Sequence, residues 1–250
     1  MKQLLMIICI CSSVHAFAQD NNVLFKEADN LEHSFKDADA LNKYKEILTN
    51  DATNIKALVK AAELSCSIGN RIDNKNDKRL SYESGLSFAQ RAIKVNDNSA
   101  EANYAYAMAS GKMTEVESEN KKIVSFVKDT KNYAEKALAI NANYGKANFV
   151  LGRWHYEMVT LSGLKKAAVK VFYGGLPEAS LDNAIAYMEK CRVNEPYYMI
   201  NYYYLNKAYK ENDKPAKQID VLSKMVKLPN RTLDDAAMKE DAQKQLQQLQ

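Results

Sequence analysis

Small and apolar residues recur at i, i+4 and i+7 in five places along this chain, and a polar turn follows each set within a few residues. The first three sets are Ala40/Tyr44/Ile47 before Asn50-Asp51-Ala52, Gly85/Ala89/Ala92 before Asn96-Asp97-Asn98, and Thr130/Ala134/Ala137 before Asn141-Ala142-Asn143. The other two are Ala184/Met188/Cys191 before Glu195-Pro196, and Gln218/Leu222/Met225 before Leu228-Pro229-Asn230. That spacing puts three side chains on one face of a helix, so each set predicts an amphipathic helix stopped by a turn. The sets begin at 40, 85, 130, 184 and 218, in steps of 45, 45, 54 and 34. A motif that returns at such intervals predicts an array of stacked repeats.

The step of 34 is the period of the tetratricopeptide repeat, a pair of helices. The steps of 45 exceed it by 11 residues, or about three helical turns, which longer helices or an added polar loop would absorb. Asn70 to Lys78 has no apolar periodicity and predicts one such loop. Tyr202-x-x-Leu205-Asn206-x-x-Tyr209 resembles the family's first-helix pattern, an aromatic, then Leu-Gly, then Tyr. Asn148-x-x-Leu151-Gly152-x-x-His155 is a looser copy, and Tyr104-x-x-Ala107-Met108-x-x-Gly111 is looser still. Ala184-x-x-x-Met188 with Pro196 resembles the second half of the motif. The expected fold is all-α: a tetratricopeptide-like, right-handed superhelix of about five helix pairs with a concave groove. Thr232 to Leu249, with Asp234 and Asp235 near its start, is expected to be a C-terminal capping helix.

The chain opens with Lys2, an apolar run from Leu4 to Val14, and Ala16-Phe17-Ala18. This is the order of a secretory signal, so residues 1–18 are expected to be removed on export, with the repeat domain spanning 19–250 in a periplasmic or secreted protein. Cys9 and Cys11 each follow Ile, which does not fit a lipoprotein site, and no later run is apolar enough to span a membrane. Eight Gly and four Pro are too few for a turn-rich strand fold. A formal charge of +4, dispersed along the sequence, gives no basic stripe for nucleic acid. Cys66 and Cys191 lie in helical runs among apolar neighbours and read as buried thiols rather than a disulfide.

From about Lys146 onward the chain also resembles the regulator of microtubule dynamics family. The resemblance is carried by Leu151-Gly152-Arg153-Trp154-x-Tyr156-Glu157, Leu161-Ser162, Gly174 to Ser180 with Pro177, Glu195-Pro196, Leu205 to Tyr209 and Leu228-Pro229-x-x-Thr232-x-Asp234. It implies a tetratricopeptide-like fold used in association and tethering, with lipid binding among some relatives. Microtubule association is not carried over to a protein expected to be exported.

Candidate chemistry is sparse. Arg153 and Glu157 stand four apart and predict an ion pair on one helix, although an arginine there can also bind an anion. His155 takes a packing position, and no His-x-x-x-His, Cys-x-x-Cys or Glu-x-x-His pattern supplies a metal site. Asp73-x-Lys75-x-Asp77 begins like a calcium loop but places Lys75 and Ser84 where ligands are needed. Ser162-Gly163 and Gly174-Gly175 make no nucleophile elbow, so neither catalysis nor a cofactor is expected. Leu164, Ala167, Ala168, Val171 and Phe172 form a stripe with Lys166 and Lys170 opposite. It reads as a helix packed on the solenoid or as one resting on an anionic lipid surface.

In the tetratricopeptide family the groove positions lie two before and one, five and eight after the leading position. Counting from Tyr202 selects Ile200, Tyr203, Lys207 and Lys210, and counting from Asn148 selects Lys146, Phe149, Arg153 and Tyr156. This basic and aromatic lining suits an acidic peptide, the terminal carboxylate of a polypeptide or an anionic headgroup. The expectation is a scaffold that binds a protein or peptide partner in the groove. The alternative is a carrier or sensor of an amphiphilic or lipid ligand, which calls for an enclosed apolar cavity near Phe149, Trp154 and Phe172.

Overall fold

The computed structural model describes residues 21–249; the segment read as a signal, 1–18, lies outside the described residues. Among the described residues there are twelve helices and no strand. They are α1 (21–33), α2 (Asp37–Asn50), α3 (Ile55–Asn70), α4 (Lys75–Val95), α5 (Ala100–Val116) and α6 (Asn120–Ile140). Then follow α7 (Gly145–Thr160), α8 (Gly163–Tyr173), α9 (Leu181–Asn194), α10 (Met199–Glu211), α11 (Pro215–Met225) and α12 (Asp235–Leu249). The pairs are α1/α2, α3/α4, α5/α6, α7/α9 and α10/α11; α8 is inserted into the fourth pair and α12 closes the array. This is the expected right-handed superhelix of five pairs and a cap. First helices pack on one another in the order α3, α5, α7, α10, α12 and form its inner wall. The second helices α2, α4, α6, α9 and α11 carry the five apolar sets, and every member of those sets is buried.

The turns explain why the helices begin where they do. Asp51, Asn96 and Asn141 each accept, at side-chain Oδ1, the backbone N–H two residues on, at 2.9–3.1 Å. This Asx turn ends one helix and aims the backbone into the next. Asn54 and Ser99 then cap α3 and α5, accepting from the N–H groups of Ala57 and Ala102. Four residues into the first helix, a polar side chain reaches back to tie down the turn. Asn103 Nδ2 donates to Asp97 O at 2.8 Å, Asn148 Nδ2 to Ala142 O at 3.1 Å, and the Tyr202 hydroxyl to Pro196 O at 2.9 Å. Asn103, not Tyr104, is therefore the leading residue of α5, and the copy read from Tyr104 was one residue out of register.

The two 45-residue steps are absorbed by helix length: α4 and α6 have 21 residues each, against 14 in α2 and 11 in α11. The loop expected over 70–78 is correspondingly short. Asn74 accepts from the N–H groups of Asn76 and Asp77, so α4 begins at Lys75 and carries the polar residues that follow as its first turn. Within a pair, the helices cross on a small residue. A Cβ on Gly85 would lie 2.6 Å from Cys66 Sγ and 3.1 Å from Ala62 O; one on Gly152 would lie 2.8 Å from Met188 Cγ and 3.0 Å from Ala184 O.

At the C-terminus, α12 begins at Asp235, three residues later than Thr232. The buried Asp235 carboxylate accepts from the N–H groups of Arg231 and Thr232 and from the Thr232 hydroxyl, folding the approach to the helix against its first turn. Arg71, at the end of α3, pairs with Asp37 and also reaches Asp234 at 3.4 Å. Residues 163 apart in sequence thus meet, which shows how tightly the superhelix winds. Cys66 and Cys191 are free and buried, in α3 and α9.

The inserted α8 departs from the packed-helix reading. Val169 is its one buried residue, while Leu164, Ala167, Val171 and Phe172 of the apolar stripe face solvent. Sequence periodicity fixes which face is apolar, and here α6 meets the end of the helix, where Lys128 donates to Phe172 O and lies over the Tyr173 ring. Gly174 stops the helix in the left-handed region at φ +91°, with Gly175 N–H donating to Lys170 O.

Candidate functional site

Asn103, Asn148 and Tyr202, fixed by the turns, and Leu58, likewise the fourth residue of its helix, put α3, α5, α7 and α10 in one register. The groove positions of α3 are then Lys56, Val59, Glu63 and Cys66, and those of α5 are Glu101, Tyr104, Met108 and Gly111. The count from Tyr202 and Asn148 missed these acids. One 45-residue step back from Lys146 would have found Glu101, and two such steps back from Arg153 would have found Glu63.

Lys146 reaches across α5 to Glu63, Nζ to Oε1 at 2.6 Å, and the Tyr104 hydroxyl donates to the same oxygen at 2.8 Å. Glu63 has only 17% of its side chain exposed. Burial by itself would raise its carboxyl, but Lys146 and Lys60 outweigh that and hold it below the usual carboxylate range. A cavity of about 450 Å³ lies here, lined by Lys56, Val59, Lys60, Glu63, Glu101 and Lys146. Two turns along α7, Arg153 pairs with Glu157 at 2.7 Å, as its spacing predicts, and with Glu115 of α5 at 3.3 Å. Glu115 also takes Lys112 at 2.9 Å and the Tyr82 hydroxyl at 3.0 Å.

Arg153 closes a second cluster, between α7 and α10. Its guanidinium sits 4.7 Å over the ring of Tyr204, and the rings of Tyr156 and Tyr203 meet Tyr204 at 6.0 and 5.6 Å. Lys207 lies over Tyr203 at 4.5 Å and Tyr204 at 5.5 Å. Arg153, Tyr156, Tyr203 and Lys207 are therefore brought together, around a Tyr204 that the count passed over. Phe149 is buried beneath them, edge-on to Tyr198 and Tyr204; Ile200 is half-buried; Lys210 is exposed one turn beyond Lys207; Lys146 belongs to the Glu63 cluster.

Lys146 and Arg153 thus already hold carboxylates of their own chain. Lys207 and Lys210 make no ion pair among the described residues. His155 is buried, stacked on Tyr187 with centroids 5.6 Å apart, and burial followed by Lys131 holds it below the usual imidazole value. No group of three His, Cys, Asp or Glu able to hold a metal occurs among the described residues, and no described helix is long and apolar enough to cross a membrane.

The lowered Glu63 carboxyl has a stability consequence. A group depressed by folding contributes stability above its unfolded value, near 4.5, and that contribution is lost as pH falls through the folded value. Urea midpoints of the native protein should therefore fall more steeply below pH 4.5 than those of Glu63→Gln. Parallel curves would show that the pair contributes nothing.

The sequence model of a family described as Regulator of microtubule dynamics protein 1-3 matches residues 24–250. The chain belongs to this family. The match reaches well upstream of Lys146, where the resemblance in the sequence begins. The rat regulator of microtubule dynamics protein 3 is 27% identical over 170 residues, which cover 68% of this chain and 36% of the rat protein. Regulator 1 of Pongo abelii is 26% identical over 207 residues, covering 81% of this chain and 64% of its own. The chain thus spans little more than a third of the regulator 3 proteins it matches. Among solved structures, a thermophilic tetratricopeptide protein of Thermus thermophilus aligns with TM-score 0.64 over 89% of this chain and 98% of its own, at 11% identity, which shows a shared fold.

These matches correct the expected location. The relatives are named as regulators of microtubules, polymers of the cell interior, so the periplasmic or secreted assignment is overturned. A basic residue, a short apolar run and small residues are a compositional pattern, and the family match outweighs it.

Proposed function

We propose that this protein is a scaffold that holds an acidic segment of a partner protein along the α7–α10 part of its groove. The observation that carries this reading is Lys207, stacked on Tyr203 and Tyr204 with no carboxylate partner among the described residues, with Lys210 unpaired one turn on. Arg153 and Tyr156 border the same surface; Lys146 and Phe149 support it from within, one tied to Glu63 and the other buried under the tyrosines. A glutamate side chain arriving there would gain a charge-assisted contact, and its neighbours would lie against tyrosine rings. The carrier reading has less support: of two cavities among the described residues, one near Glu63 and one beside α8, neither is lined by Phe149, Trp154 or Phe172.

Fluorescence anisotropy with a glutamate-rich peptide tests the proposal. Binding should weaken as salt screens the groove over roughly 8 Å. Lys207→Glu with Lys210→Glu should weaken it about tenfold or more; Lys210 is exposed and Lys207 is half-buried on two tyrosine rings, so the cost in stability should stay at about 1 kcal/mol, the lost cation–π contact. Equal binding by the double variant would overturn the proposal. The activity in the relatives' name has its own arm: co-sedimentation with microtubules, whose surface is acidic, should show the same loss.

A further inference from the structure

The two ends of the array meet through charge. Arg71, at the end of α3, pairs with Asp37 at the start of α2. Its Nη1 also donates to Ser67 Oγ at 3.1 Å and reaches Asp234, just before α12, at 3.4 Å. In a stack of helix pairs, the loops within pairs line one edge and the loops between pairs line the other. Asp37 and Arg71 stand beside the loops within the first two pairs, whereas Asp234 belongs to the connection from α11 to α12. Arg71 and Asp234 therefore bridge opposite edges of the superhelix, and such a contact closes its turn around the groove.

Both sides of this bridge are held in place. Asp37, with only 12% of its side chain exposed, fixes the guanidinium from the first pair. On the other side, Arg231 lies 4.1 Å over the ring of Tyr197, in the turn between α9 and α10, and Lys239 donates to Leu228 O at 2.7 Å. Asp235 accepts from the N–H groups of Arg231 and Thr232, so the segment carrying Asp234 is fastened to the C-terminal half. The apolar cluster around α10, α11 and α12 takes no side chain from α1 to α4 among the described residues. A partly exposed ion pair contributes little to stability, so this closure can break without unfolding either end.

We infer that Arg71 and Asp234 form a latch that closes the superhelix, and that its opening admits a partner to the groove. The second part rests on the acidic-segment reading above; the first does not. Arg153 and Lys207 lie on the inner wall that the closed turn encircles, so a polypeptide reaches them more readily once the edges part. The fraction of open molecules then scales how strongly and how fast the segment binds.

Electron–electron distance measurement between spin labels reads the latch directly. The full-length protein, with Cys9 and Cys11 changed to serine, carries labels at Asp73→Cys and Leu233→Cys; both positions are exposed, and the buried Cys66 and Cys191 stay unlabelled. The native pair should give a short, narrow distance. Asp234→Lys, which sets two cations together, should lengthen it by about 5 Å or more, the scale of one element shifting past another. Asp234→Glu should keep it short. A native distance as long and broad as that of Asp234→Lys, or a short one in Asp234→Lys, would overturn the latch. So would a long distance in Asp234→Glu. A glutamate-rich peptide should associate about fivefold faster with Asp234→Lys than with Asp73→Lys, which makes the same change of charge beside Arg71 and leaves the pair intact. Equal rates, with the distance lengthened, would overturn control of the groove by the latch. No binding to either variant would overturn the acidic-segment reading and the gating that rests on it, while the distances still decide the latch.

Discussion

Replacing Trp154 with alanine is expected to destabilise the protein by about 4 kcal/mol, the usual cost of emptying a buried tryptophan site. Trp154 is buried in α7 and its indole N–H donates to Val127 O of α6 at 3.1 Å. Lys131 lies 5.6 Å over one face of the ring and His155 meets its edge at 5.1 Å. The side chain thus joins the third pair to the fourth. For a protein of this length each kcal/mol shifts the melting temperature by about 2–4 °C, so a fall of roughly 10 °C is expected. Since this is the only tryptophan, native emission should be well to the blue of indole in water and should move red on unfolding. Water-like native emission, or a loss below a few tenths of a kcal/mol, would show that the ring faces solvent.

The second large effect separates two glycines. Gly152→Val should cost about 2–3 kcal/mol, because its Cβ would lie 2.8 Å from Met188 Cγ, 3.0 Å from Ala184 O and 3.2 Å from Met188 N. Two of those are backbone atoms of α9, so relief requires the helices to move apart. Gly111→Ala should instead stabilise by about 0.5–1 kcal/mol, since an interior helical glycine gives way to a better helix former. Its Cβ would find only Thr130, at an ordinary 3.6–3.7 Å. Chemical denaturation of both variants checks the pair: stabilisation of both would show that helix propensity outweighs the α7/α9 contact, and destabilisation of both would show that Gly111 has no room for a methyl group.

The repeats were legible because they are local. An i, i+4, i+7 set needs only one helix to be read, and all five sets proved buried on second helices. Register was harder. Asn103 stands where the family pattern has an aromatic residue; its signal is a hydrogen bond to a turn carbonyl six residues back, which apolar counting does not register. The groove was half legible. Arg153, Tyr156, Tyr203 and Lys207 were placed by counting along single helices. That Glu63 would occupy Lys146 from 83 residues away depends on superhelical winding, which no local pattern carries. For α8, amphipathicity showed which face is apolar, but whether anything covers that face is a property of the neighbours.

The two buried thiols make the array its own gauge of local opening. Burial pushes the Cys66 thiol up to about 12, and it raises Cys191 as well, so neither forms an appreciable thiolate at neutral pH while folded. An alkylating reagent therefore meets them only when the surrounding helices part. Cys66 sits in the second helix pair and Cys191 in the fourth, and stacked repeats are held chiefly by nearest neighbours. With Cys9 and Cys11 changed to serine, the two labelling rates would report separately on the breathing of each half. A bound partner that spans the groove would slow both together, whereas one confined to α7 and α10 would protect Cys191 alone.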